Sequence, residues 1–174
     1  MKKILSIILG AFLCLQAFAQ VNVNAGYVNA SYRVNGPGVT GSLPGNGFYI
    51  GGGYDIKSSN YPQISFYPNL NFNLVDCNWA GTRFTNYFLS APLHIKYTQP
   101  LSNVADLFVS CGPNLICDLE DATFDAAFGL EGGALLSNNV KIMIGYDFGL
   151  INQSGDDVYK ITRNFLHIGV GYMF

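Results

Sequence analysis

The chain has 174 residues, enough for one domain, and carries 9 Lys and Arg against 11 Asp and Glu. Its net charge of -2, which becomes -4 without Lys2 and Lys3, excludes a nucleic-acid partner that needs a basic surface. Charged residues make up only 11% of the chain while 49% is hydrophobic, so where each charge sits is informative.

Residues 1–19 read as a cleaved export signal. Lys2 and Lys3 give the positive start, and Ile4 to Leu15 is an apolar run of 12, too short for a spanning helix. Ala17-Phe18-Ala19 puts small residues at the two positions a signal peptidase reads, which makes Gln20 the mature N-terminus and residues 20–174 the mature domain. Cys14 leaves with the signal; a lipoprotein reading of it is disfavoured because Leu13 is not small. After Gln20 no segment approaches 18 apolar residues, and none holds a 3.6-residue period.

What recurs is alternation at period two, in eight segments. Val21 to Tyr32 sets Val21, Val23, Ala25 and Tyr27 against Asn22, Asn24 and Gly26. Gly47 to Lys57 puts Phe48, Ile50, Tyr54 and Ile56 on one face. Tyr61 to Leu74 opposes Ile64, Phe66, Leu70 and Phe72 to Gln63, Ser65, Asn69, Asn71 and Asn73. Phe84 to Thr98 aligns Tyr87, Leu89, Ala91, Leu93, Ile95 and Tyr97. Val104 to Cys117 aligns Leu107, Val109, Cys111 and Leu115, and Phe124 to Leu136 aligns Phe124, Ala126, Phe128, Leu130 and Ala134. Val140 to Ile151 sets Val140, Ile142, Ile144, Tyr146, Phe148 and Leu150 against Lys141, Met143, Gly145, Asp147 and Gly149. Arg163 to Phe174 alternates Leu166, Ile168, Val170, Tyr172 and Phe174 with His167, Gly169, Gly171 and Met173.

Nine charges fall inside these segments: Asp55, Lys57, Lys96, Asp106, Asp125, Glu131, Lys141, Asp147 and Arg163. Each shares parity with the polar or small residues of its segment, and the opposite face carries none. Lys or Arg turned to mid-bilayer costs roughly 2–4 kcal/mol, so a charge-free face marks contact with hydrocarbon. The enclosed set of five acids and four bases is close to neutral, as a closed ion-pair network requires.

Short turns at Ser58 to Asn60, Gln99 to Asn103 and Ser137 to Asn139 alternate with longer loops at Arg33 to Asn46, Val75 to Arg83, Asp118 to Thr123 and Asn152 to Thr162. Membrane barrels keep short turns on the periplasmic side and longer loops outside. The expectation is an all-β, eight-stranded antiparallel up-and-down transmembrane β-barrel that follows a cleaved signal peptide. Its first strand closes on its last, and both termini are periplasmic. The uncharged, Gly- and Pro-rich stretch Asn35 to Asn46 is expected to be a mobile loop. Pro62 can start a strand. Pro68, Pro92 and Pro113 lie in strands with no free edge and lack the ladder N–H, which requires a bulge or a local water, so irregular backbone is expected there.

The chain ends His167-Ile168-Gly169-Val170-Gly171-Tyr172-Met173-Phe174. A polar residue, a glycine two later and two aromatics about one residue resemble the C-terminal signal by which outer-membrane barrels are recognised for insertion. His167, Gly169, Tyr172 and Phe174 carry that resemblance. It implies two partners: outer-membrane lipid, and barrel-assembly machinery that engages the last strand. Ala91-Pro92-Leu93-His94-Ile95-Lys96-Tyr97, Cys111-Gly112-Pro113-Asn114-Leu115 and the glycine-rich stretch Gly129 to Gly133 resemble the PorT-like outer-membrane β-barrel family, within the small eight-stranded OmpA-type barrels. The resemblance spans the mature chain and implies the outer membrane of a Gram-negative cell. It makes the internal prolines family-typical and indicates a fold more than an activity.

His94 and His167 share the enclosed face with the charges. A hydrolytic His-Ser-carboxylate site needs the three within hydrogen-bond reach, and no serine lies at a recognisable spacing from either histidine. Tyr49, Tyr67, Phe88, Phe108 and Met173 also point inward, in a lumen that eight strands leave just wide enough for side chains. The favoured reading is a closed, non-enzymatic barrel with no cofactor, structural or surface-interacting, whose loops meet a host surface, lipopolysaccharide or an envelope protein. Two alternatives stay open: a lipid-modifying enzyme with His94 or His167 as general base, and a soluble lipocalin-like barrel with its apolar face inward. The acidic clusters Asp118-Leu119-Glu120-Asp121 and Asp156-Asp157 match no calcium loop and read as solvated loop charge. Cys111 and Cys117, about 20 Å apart on one strand, cannot bridge. A Cys77–Cys117 pair is open, against the simpler reading of buried or lipid-facing thiols.

Overall fold

A computed structural model describes residues 19–79, 82–137, 139–154 and 158–174. Residues 1–18 of the expected export signal and the Asp156-Asp157 pair lie outside the described residues. Ala19, the last residue of that expected signal, opens the first strand and opposes Ile56.

Each alternating segment forms a strand: β1 (Ala19–Gly36), β2 (Val39–Lys57), β3 (Ile64–Trp79), β4 (Thr82–Pro100), β5 (Ala105–Asp118), β6 (Phe124–Leu136), β7 (Val140–Gly149) and β8 (Lys160–Met173). They close into one antiparallel barrel in chain order, with β8 pairing back onto β1. Closure leaves no edge strand with an unpaired ladder.

At the end away from the termini, β1 to β4 run further than the alternation indicates. The expected long loop from Arg33 to Asn46, which includes the Gly- and Pro-rich stretch Asn35 to Asn46, is a hairpin: Gly36 opposes Val39 across a Pro37-Gly38 turn. Proline at the first turn position and glycine at the second suit a type II turn, and Gly38 adopts the φ of +75° it requires. The Val75 to Arg83 loop is likewise taken up by the ends of β3 and β4, with Trp79 opposite Thr82. Asp118 ends β5 instead of opening a loop, while Pro62 stays in the turn before β3.

The internal prolines interrupt the ladders without shifting register. The β2–β3 ladder lapses between Gly53↔Asn69 and Ile56↔Phe66, beside Pro68. The β3–β4 ladder lapses between Pro68↔Leu93 and Asn71↔Ser90, beside Pro92. The β4–β5 ladder lapses between Pro92↔Asn114 and Ile95↔Cys111, beside Pro113. Each proline lacks the N–H a ladder needs. The expected irregular backbone takes the form of a lapse and not a bulge, because the pairing offset is the same on both sides of each gap.

The two faces separate as the alternation demands. In β7, Ile142 and Ile144 are 49% and 54% exposed, while Lys141 and Asp147 are 1% and 5% exposed. Phe48, Ile50, Phe66, Leu70, Ile95, Leu115 and Val170 face outward with them. The lipocalin-like alternative requires the opposite polarity and is excluded by this arrangement.

Candidate functional site in the lumen

The inward column of each strand supplies the filling. Tyr49, Tyr67, Phe88, Phe108 and Met173 are all buried. Toward the end away from the termini, Val28, Ala30, Val75, Cys77, Phe88, Ile116, Ala127 and Phe165 form an apolar plug, with Tyr32 and Leu43 packed against it. Below it the lumen is polar, with Asn22, Asn24, Asn69, Asn73, Ser90 and Asn114 buried among the charges.

The charges lie in three groups. Lys96 pairs with Asp55. Lys141 lies 3.8 Å from Glu131 and donates to the Tyr67 hydroxyl. Both ammonium groups stand 4.7 Å from the Tyr67 ring centroid and 5.7 Å from that of Phe108, positions attractive to a cation. Arg163 reaches Asp118 at 3.0 Å and Asp125 at 3.2 Å, donates to Gln153 at 3.0 Å, and lies over the Phe88 ring. Asp147 accepts from Asn114 at 2.9 Å and faces His167 Nδ1 at 3.6 Å. Lys57 and Asp106 stand apart at the mouth near the termini, beside a 240 Å³ recess that Gln20, Asp55 and Lys96 also line. Neither forms an ion pair with a described residue.

Asp118, expected as solvated loop charge, is 6% exposed and bound to Arg163. Its position straight after a turn-like boundary hid it; its parity with Ile116, which points inward, is the signal that could have found it.

The barrel also makes a contact the spacing did not suggest. Lys96 opposes Ser110, and this brings Ser110 Oγ to 3.2 Å from His94 Nδ1. Ser110 is 1% exposed and faces the lumen, so a lipid substrate cannot reach it. A cavity of about 30 Å³ lies beside His94, lined also by Asn24, Asn69, Asn71, Glu131 and His167. Asn24 Oδ1, Asn69 Oδ1, Asn71 Oδ1 and His94 Nε2 find no protein partner. A polar space of this size takes about two waters and no acyl chain.

His167, expected as part of a C-terminal signal, points inward between Tyr49 and Phe165, with ring centroids 5.5 and 6.1 Å away. Gly169 is also inward, against the Tyr49 hydroxyl, whereas Tyr172 and Phe174 face out and meet edge to face at 5.0 Å. Cys77, Cys111 and Cys117 are free thiols. Cys77 is buried in the lumen plug and Cys117 lies on the outer face, so the wall separates the pair left open by the sequence.

A sequence profile described as the outer membrane protein beta-barrel domain matches residues 5–174. Comparison with curated protein sequences finds no match. Among solved structures, the chain is similar to neisserial surface protein A, with 18% identity, a TM-score of 0.55, and coverage of 90% of this chain and 99% of that one. It is similar also to the outer membrane protein OprG from Pseudomonas aeruginosa, with 11% identity, a TM-score of 0.50, and coverage of 90% and 96%. At these identities the likeness speaks to the fold alone.

Proposed function

This chain belongs to the outer membrane protein β-barrel domain family, and from that premise we propose that it is a non-enzymatic, PorT-like barrel of the Gram-negative outer membrane with a structural or surface-interaction role. Both termini face the periplasm and the four hairpin ends opposite them face outside, following the rule that the longer extensions past the apolar band are extracellular. The supporting observation is the filled lumen: an apolar plug at one end and the Lys96, Lys141, Tyr67 and Phe108 group below it. Planar-bilayer recording tests this reading. The expected trace is flat, and steady, sizeable conductance of the intact protein overturns it.

The last strand is proposed as the segment read by barrel-assembly machinery, with outward Tyr172 and Phe174 as its aromatic features. Phe174→Ala should slow insertion in cells, while chemical refolding into detergent micelles proceeds.

A second reading, lipid modification, is motivated by the His94–Ser110 contact. It predicts that lipid A from cells carrying the protein differs from lipid A of cells carrying Ser110→Ala. Burial of both groups in the lumen makes the non-enzymatic reading the stronger one.

A further inference from the structure

We infer that the outward face of β8, β1 and β2, beyond the apolar band, binds the phosphorylated sugar headgroup of an outer-leaflet glycolipid. The inference rests on the orientation proposed above, which puts this end of the barrel outside.

The outward column of β1 runs Val23, Ala25, Tyr27 and then changes to Asn29, Ser31, Arg33 and Asn35. The neighbouring column of β2 changes at the same level, from Ile50 and Phe48 to Asn46, which opposes Asn29. A fixed polar row stands immediately above the apolar band. Tyr27 donates to Asn46, Asn29 Nδ2 donates to Asn46 Oδ1 at 2.8 Å, and the Ser31 and Ser42 hydroxyls meet at 2.8 Å.

Two cations stand above that row. Arg33 opposes Ser42 on one side and Thr162 on the other, and Lys160 opposes Asn35. Opposed residues share a face, so Arg33 and Lys160 are diagonal neighbours with their Cβ atoms about 7–8 Å apart. Both are exposed, and neither pairs with a carboxylate among the described residues. The described acids of this end lie elsewhere: Asp118 and Asp125 face the lumen on Arg163, Asp76 is held by Arg83 on the β3–β4 hairpin, and Glu120 and Asp121 are in the β5–β6 turn.

Height selects the ligand. Arg33 is six residues beyond Tyr27. At about 3.3 Å per residue and a strand tilt of about 40°, that places it about 15 Å above the top of the apolar band. An ordinary headgroup layer is only about 5–8 Å deep on each side of the hydrocarbon. Cations at this height meet phosphate only on a taller headgroup, with sugars below to face the Asn29, Asn46, Ser31 and Ser42 row. The sector therefore matches, in order, acyl chain, saccharide and phosphate.

The test uses the full mature protein in phosphatidylcholine nanodiscs doped with phosphorylated lipopolysaccharide, its dephosphorylated form, or phosphatidylglycerol. Retained lipid is read by native mass spectrometry, and heat-modifiable gel migration reports folding. The intact barrel should retain the phosphorylated glycolipid preferentially. The double variant Arg33→Gln/Lys160→Gln should lose it roughly thirtyfold, the scale expected of two surface cations, whereas Arg83→Gln should not. Equal retention of phosphatidylglycerol, or a folded double variant that retains the glycolipid as well as the parent, overturns the inference. Labelling of Ser42→Cys on intact cells separates the two failures. A cysteine reached only from the periplasm sinks the orientation, and one reached from outside in a barrel that ignores the glycolipid sinks this inference alone.

Discussion

Arg163 Nη1 donates to Asp118 Oδ2 at 3.0 Å and so ties the beginning of β8 to the end of β5 across the lumen. Its Nε reaches Asp125 at the same time. One guanidinium thus serves two buried carboxylates, a task suited to its fixed fork of donors.

Removing that cation alone should be severe. Arg163→Met leaves Asp118 and Asp125 buried without a positive partner, and breaking a buried pair this way costs about 3–5 kcal/mol. Urea unfolding in detergent micelles should show the loss. Adding Asp118→Asn and Asp125→Asn to the same chain should recover much of it, because no uncompensated charge then remains.

The outward face should reject charge. Ile144→Lys places an ammonium on the exposed side of β7 and should cost roughly 2–4 kcal/mol near the bilayer midplane. Folding yield into lipid vesicles measures it. Insertion as efficient as the parent's would mean that Ile144 does not touch acyl chains.

Close packing around His94 sets a further expectation. A Cβ on Gly129 would stand 2.5 Å from His94 Nε2 and 2.7 Å from Asp147 Oδ1, while one on Gly132 would meet nothing nearer than 3.6 Å. Gly129→Ala should therefore destabilise by about 1–3 kcal/mol, as overpacking does. Gly132→Ala should be close to neutral in the same unfolding series.

Thinning the central group and the plug together should open the barrel. Tyr67→Ala with Phe108→Ala removes the rings on which Lys96 and Lys141 rest, and Phe88→Ala with Phe165→Ala thins the apolar plug in series with them. Planar-bilayer recordings of this combined variant should show ion passage that the parent lacks.

Beyond the apolar band, the β3–β4 hairpin carries a pH-dependent clasp. Asp76 accepts from Thr85 at 2.5 Å and pairs with Arg83; the hydrogen bond from Thr85, then the one from Arg83, hold its carboxyl below the ordinary carboxylate value. A depressed carboxylate contributes stability at pH above its unfolded value, and that contribution fades as pH falls through the lowered value. Amide-exchange protection around Asp76 and Thr85 should be full at neutral pH, begin to fall in the usual carboxylate range and lose this contribution below the lowered value. Asp76→Asn should remove the dependence.

The faces of the strands were legible because hydrocarbon tolerates no compromise. Lys141 and Asp147 against Ile142 and Ile144 separates the two faces of β7 cleanly, and β6 was bounded correctly at Phe124 and Leu136. Legibility failed where that pressure ends. Between Arg33 and Asn46 neither face must be apolar, so a continuous hairpin reads like a loop. The same ambiguity hid Asp118. Contacts such as His94 with Ser110 depend on the stagger of neighbouring strands, and no single segment encodes that stagger.

Pro68, Pro92 and Pro113 are not scattered. Pro68 faces Leu93, next to Pro92, and Pro92 faces Asn114, next to Pro113, so their lapses join into an oblique seam through β3, β4 and β5. A tube stitched uniformly resists ovalisation equally along every diameter. This one is most compliant across the seam, and a bilayer that squeezes it will flatten it in that direction first.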